Sequence, residues 1–160
     1  MSGMEQHPNV VAVREALEAA GAHTAQVVIL DDAVHTAAAA AEALGVEVGQ
    51  IANSLIFDAD GAPLLVLTSG AHRVDTAKVA GLIGASGLRR ATPDFVRTHA
   101  GQPIGGVAPL GHPTPLRTLV DTALAQYEEV WAAGGIPHAV FPITYPELVR
   151  VTAGAPAEVA

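Results

Sequence analysis

The run Ile51-Ala52-Asn53-Ser54-Leu55-Ile56-Phe57, then Asp58-Ala59-Asp60-Gly61, then Leu64-Leu65-Val66-Leu67, constrains the fold of this 160-residue chain more than any other feature. Two short apolar runs joined by a turn rich in Asp and Gly read as a β-hairpin. Side chains alternate along a strand, so Ile51, Asn53 and Leu55 share one face, while Ala52, Ser54 and Ile56 share the other. Asn53 and Ser54 are the anomaly, because a polar pair interrupts an otherwise apolar strand. Read from the strand pattern alone, Asn53 is a buried amide satisfied by nearby backbone.

Helical and extended segments alternate around this hairpin. Val10, Val11, Val13, Leu17 and Ala20 fall on one helical face, with Pro8 at the start and Gly21 at the stop. Val27 to Leu30 reads as a strand, and Thr36 caps an alanine-rich helix that ends at Gly45. Asp75 caps a helix through Val79, Leu82 and Ile83, and Thr92-Pro93-Asp94 opens another before Gly101. Further strands are expected at Leu116 to Val120, Val130 to Ala133 and Ala139 to Ile143. Thr144 and Glu147 form a capping-box pattern for a last helix, and the tail after Gly154 is expected to be loose. The fold class is therefore mixed α/β, a mixed and barrel-like sheet of several strands surrounded by helices. One domain spans residues 1–160, with its core at about 8–152.

Composition excludes several function classes. Sixteen acidic against eight basic side chains give a formal charge of -8, which lacks the counter-charge for wide contact with phosphate backbones. Contact with the tip of a nucleic acid is not excluded. The absence of cysteine removes disulfides, thiolate nucleophiles and cysteine metal sites, and suits the cytoplasm. No apolar run approaches membrane-spanning length, and the N-terminal residues carry no signal-peptide pattern. The seven histidines include no H-E-x-x-H and read as solvated or capping residues. No G-x-S-x-G surrounds Ser54, Ser69 or Ser86, and no phosphate-binding G-x-x-x-x-G-K-[ST] occurs.

Two glycine-rich stretches remain. Gln102-Pro103-Ile104-Gly105-Gly106-Val107-Ala108-Pro109-Leu110-Gly111 is either an ordinary connection or a loop whose backbone N–H groups face a ligand carbonyl. Ala132-Ala133-Gly134-Gly135-Ile136-Pro137, between two expected strands, reads first as a plain turn. Asp121, ending a strand before Thr122, reads as a helix N-cap or a buried hydrogen-bond anchor.

Taken in order, Ala43-Leu44-Gly45-Val46, Gln50 to Phe57, the Gly105 to Pro109 loop, Asp121 and Gly134-Gly135-Ile136-Pro137 resemble the YbaK/prolyl-tRNA synthetase-associated domain family over roughly residues 8–152. The resemblance implies an α/β fold, no metal or other cofactor, and trans-editing hydrolysis of mischarged aminoacyl-tRNA. Its expected partners are the aminoacyl-tRNA acceptor end and an aminoacyl-tRNA synthetase. It places Asn53, Gly105 and Gly106 at the reacting ester. It places Ser54, Val107, Ala108, Pro109, Asp121, Gly134, Gly135, Ile136 and Pro137 around the substrate, and Arg73, on the loop after the hairpin, is added to them as a source of charge. The family's usual residue at position 53 is a lysine. Asn53 supplies hydrogen bonds there but no charge, Lys78 lies on a later helix, and Arg73 is the basic residue offered in its place.

An aminoacyl ester is already activated, so oriented water and backbone donors for the oxyanion suffice without a protein nucleophile. A pocket of limited size selects a small amino acid such as alanine or serine. The alternative expectation is a non-catalytic module that binds aminoacyl-tRNA or an aminoacyl-adenosine-like ligand.

Overall fold

Each helix begins where a side chain answers a free N–H group and most end where a glycine can turn left-handed. The computed structural model describes residues 3–160. Its helices are α1 (Pro8–Ala19), α2 (Ala37–Leu44), α3 (Thr76–Ile83), α4 (Pro93–Ala100) and α5 (Tyr145–Thr152). The N-caps are His7, Thr36, Asp75, Thr92 and Thr144, whose side chains accept from backbone N–H groups of the first turn. Gly45, Gly84 and Gly101 close α2, α3 and α4 with positive φ. The expected capping box of α5 is only half made. Thr144 accepts from the Glu147 N–H, but the Glu147 carboxylate turns to Arg150 instead.

The strands are β1 (Val28–Ile29), β2 (Ile51–Ala59), β3 (Ala62–Ser69), β4 (Leu88–Arg90), β5 (Arg117–Asp121), β6 (Val130–Ala133), β7 (Ala139–Ile143) and β8 (Ala155–Ala157). They form one mixed sheet in the order β1-β7-β6-β2-β3-β5-β8, with β4 paired to β2 off this path. The hairpin turn is tighter than expected from the sequence. Asp58 and Ala59 remain paired with Pro63 and Ala62, leaving Asp60 and Gly61 at φ 54° and 93°, both left-handed. An Asp-Gly pair suits that two-residue turn because its twist matches the strands.

Alternation along the hairpin divides the core between two faces of the sheet. Ile56, Leu65 and Leu67 pack with Val13 and Leu17 of α1, Val96 of α4, Phe141 and Leu148. Phe57, Leu64 and Val66 pack on the other side with Val79 of α3, Leu119 and Val159. Leu64, Leu65, Val66 and Leu67 are at most 1% exposed, and each such side chain contributes about 1.5–3 kcal/mol of apolar burial.

The tail after Gly154 is not loose. Residues 155–157 pair in parallel with Leu119, Val120 and Asp121, and Val159 is wholly buried on the α3 side. An edge strand's free backbone groups and an open apolar seat give that segment partners that no local pattern displays. Val159→Ala is therefore expected to cost about 2 kcal/mol in denaturant unfolding; an unchanged midpoint would show that the tail carries no stability.

Candidate functional site

A cleft opens where β2 changes partners. One edge of β2 is paired with β3 from Ala52 to Ala59. Its other edge pairs with β6 at Ile51 and Ala52 and with β4 from Phe57 to Ala59. Between those ladders residues 53–56 have no strand on that edge, so the sheet splits at Asn53 and Ser54. Around the split lies a shallow, solvent-open cleft. Its walls are Val34, His35 and Thr36 before α2, Ala37 and Ala40 of α2, Ile51 to Ser54, Gly105 and Val107, Trp131 to Ala133, and Pro137, Ala139 and Val140.

Backbone bonds hold these walls in place. The Val34 N–H donates to the Pro137 carbonyl at 2.9 Å, and the Leu30 N–H to the His138 carbonyl at 2.7 Å, so the loop before α2 is tied to the turn between β6 and β7. Within the loop from Gln102 to Gly111, the Ala108 N–H donates to Gln102 Oε1 at 2.7 Å. His112 Nε2–H donates to the Ala108 carbonyl, also at 2.7 Å. Burial lowers the His112 pKa from its ordinary value, and the bond to that carbonyl opposes the shift only in part.

Polar groups in the cleft are left for a ligand. Ser54 Oγ is buried without a hydrogen-bond partner, an uncommon state for a buried hydroxyl. The Asn53 amide makes no hydrogen bond among the described residues and is half-buried, so it is not an asparagine anchored by surrounding backbone. Gly105 has φ +89°, and neither its N–H nor that of Val107 has a partner among the described residues. The point where a Gly105 Cβ would sit is 3.3 Å from His35 Nδ1. His35 is the one imidazole in the lining. In the sequence His35 reads as a solvated histidine; its place one residue before the α2 cap is the one local signal of another role.

Of the residues singled out in the sequence, Asn53, Ser54, Gly105, Val107 and Pro137 meet in this cleft. Gly106 does not line it. A Cβ on Gly106 would stand 2.7 Å from Ile136 Cα, so this glycine is where one loop crosses another, and Ile136 is buried beneath the crossing. Gly135, at φ +106°, presses on the Asn9 backbone, while Gly134 donates to the Ala139 carbonyl at 2.7 Å. Ala108 and Pro109 are buried behind the wall. Arg73 is exposed and outside the cleft.

Asp121 also lies apart. Its carboxylate, 1% exposed, accepts from the Ser69 N–H at 2.9 Å, Thr68 Oγ1 at 3.4 Å and the Ala123 N–H at 3.0 Å, and lies 2.9 Å from His72 Nδ1. It ties the ends of β3 and β5 together and caps the short helical turn Thr122–Gln126. Burial, and then the Asp121 charge, push the Tyr145 phenol above its ordinary pKa.

Comparison with known proteins places this architecture. The sequence profile described as the aminoacyl-tRNA editing domain matches residues 31–151. A proline–tRNA ligase of Nitratidesulfovibrio vulgaris is 33% identical over 100 residues, 62% of this chain and 17% of that protein. The chain thus spans about a sixth of the length of the proline–tRNA ligases it matches. The uncharacterized protein YwhH of Bacillus subtilis is 31% identical over 110 residues, 68% of this chain and 69% of that one. A solved structure described as a candidate trans-editing enzyme for prolyl-tRNA synthetase has a TM-score of 0.89 and 45% identity, covering 95% of this chain and 96% of the other.

Two outcomes follow from the loop geometry. Gly106→Ala drives a methyl group into the Ile136 backbone and is expected to destabilise the fold by about 1–3 kcal/mol; a neutral melting temperature would remove the loop crossing. Burial lowers the folded-state pKa of His112, so below about pH 6.5 the unfolded chain binds the extra proton first and the stability is lost as pH falls. Urea unfolding of His112→Gln between pH 7 and 5 should therefore show a shallower acid loss than wild type, and an identical slope would contradict this.

Proposed function

Because the chain belongs to the aminoacyl-tRNA editing domain family, we propose that it is a deacylase that removes a small amino acid from the acceptor end of mischarged tRNA, and that the cleft beside Asn53 holds the ester. The observation that carries this reading is the pairing, in one cleft, of unpartnered donors with an apolar floor of small side chains. The Ser54 hydroxyl and the Gly105 and Val107 N–H groups are donors without protein acceptors. Ala40, Ala52, Ala132, Ala133 and Ala139 line the same space.

Such a site suits ester hydrolysis by water. The ester carbonyl gains negative charge as water adds, and donors already in position stabilise that oxyanion without reorganisation. A floor of alanines receives a small aliphatic or hydroxylated side chain and excludes a large one. Alanine and serine differ by one hydroxyl, and an apolar pocket separates such a pair only by about 10–200-fold. One similar structure is described as a trans-editing candidate for prolyl-tRNA synthetase, which makes proline tRNA carrying alanine or serine the first substrate to test. A prolyl-tRNA synthetase is by the same reasoning the first partner to test.

Asn53 sets the rate. An amide orients water or a ribose hydroxyl but brings no positive charge to a phosphate or oxyanion. Loss of one charged contact costs about 2–4 kcal/mol in the transition state, or roughly 30- to 1000-fold, which leaves a slow enzyme rather than an inert one. The net charge of -8 confines the grip on tRNA to a few phosphates at its end.

The test is deacylation of a panel of charged tRNAs with the wild-type chain and Asn53→Lys. Release of alanine or serine in preference to bulky residues is expected, with only a mild loss of affinity as salt rises. Asn53→Lys should melt within a few degrees of wild type, because the position is open to water, and cleave about 10-fold faster or more. No release from any tRNA, with binding retained, would overturn the hydrolase reading in favour of a binding module.

A further inference from the structure

We infer that His35 is the general base of the cleft, a role that rests on the hydrolase reading above. A positioned base accelerates hydrolysis by water, and the rest of the lining offers no other ionisable side chain for that role: it holds no Asp, Glu, Lys, Arg or Cys. Imidazole is the side chain whose unperturbed titration falls near neutrality.

Of the seven histidines, His35 alone lines the cleft. Three of the others are engaged elsewhere: His7 Nδ1 accepts from the Asn9 N–H, His72 Nδ1 lies against Asp121, and His112 Nε2–H donates to the Ala108 carbonyl. The His35 ring has no hydrogen bond or ion pair among the described residues and stands over Gly105. Both of its neighbours are anchored, Val34 through its N–H to the Pro137 carbonyl and Thr36 through Oγ1, which accepts from the Ala39 N–H at 3.0 Å. The backbone at His35 is therefore fixed beside the loop whose free N–H groups receive the oxyanion, and the exposed ring has its nitrogens left for water.

The step balances. Neutral His35 takes a proton from water as the water oxygen bonds to the ester carbonyl carbon, and the carbonyl electrons become the oxyanion facing the N–H groups of Gly105 and Val107. As the oxyanion collapses, the bond from carbon to the ribose oxygen breaks. The imidazolium returns its proton to that oxygen, giving free amino acid and tRNA. The charged groups on the segments packed around His35 are Asp31 and Asp32 on its own loop, Glu42 on α2, Glu129 before β6 and His138 after Pro137; residues 101–111 carry none.

The experiment is the pH profile of kcat and KM for wild type and His35→Gln, on the aminoacyl-tRNA that wild type cleaves fastest, after subtraction of uncatalysed hydrolysis. A base acts when neutral, so wild-type kcat should rise with pH through the imidazole range and then level. In His35→Gln that limb should vanish and kcat fall about 100-fold or more, with KM little changed and melting unaltered. If His35→Gln keeps the rising limb, whatever its rate, the assignment to His35 is overturned and the hydrolase reading stands. If wild type cleaves no charged tRNA, both fall together.

Discussion

The exchange of partners along one edge of β2 organises this molecule. Along the edge of β2 opposite β3, β6 pairs in parallel only at Ile51 and Ala52, and β4 pairs antiparallel only from Phe57 to Ala59. The sheet therefore parts at residues 53–56, and the loops that bridge the parting become the walls of a cleft. Everything polar in that cleft follows from the parting. Asn53 and Ser54 interrupt the apolar strand where no neighbouring strand covers it, and the Gly105 loop approaches where strand β6 has ended its pairing. The cost is an unpaired hydroxyl at Ser54, tolerable where a ligand can supply the missing bond.

Much of the scaffold was legible in the sequence because local signals and tertiary structure agree. Thr36, Asp75 and Thr92 cap the helices they precede, and the hairpin stands where the two apolar runs put it. The misreadings come from interactions that local pattern does not encode. Residues 155–157 became a strand because β5 offered an edge, and Leu88–Arg90 joined β2 for the same kind of reason. Glu147 left the capping box because Arg150, one turn on, offers a charged partner.

The site was legible to a different degree. Asn53, Ser54, Gly105, Val107 and Pro137 meet as the motif order suggested. Gly106, Gly134 and Gly135 look in the sequence like further site residues, yet what crowds them is the chain itself: Ile136, Ala139 and Asn9. A glycine required for close approach reads the same whether the approaching group is substrate or backbone. Asp121 illustrates the converse, since a buried carboxylate that collects donors from β3 and from the following turn carries stability without touching the cleft. His35 escaped notice because its meaning depends on Gly105, seventy residues away in sequence.

A second open cleft lies beside Asp121, lined by His72, Thr122 and Ala123, and the central claim is that the cleft at the β2 parting is the one that receives the aminoacyl end of tRNA. Amide chemical shifts during titration with an aminoacyl-adenosine analogue, its ester replaced by a stable amide, test this directly. The account predicts that the moving signals are those of Asn53, Ser54, Gly105 and Val107, while Thr122 and Ala123 stay still. Movement confined to His72, Thr122 and Ala123, with Ser54 and Gly105 unmoved, would contradict it.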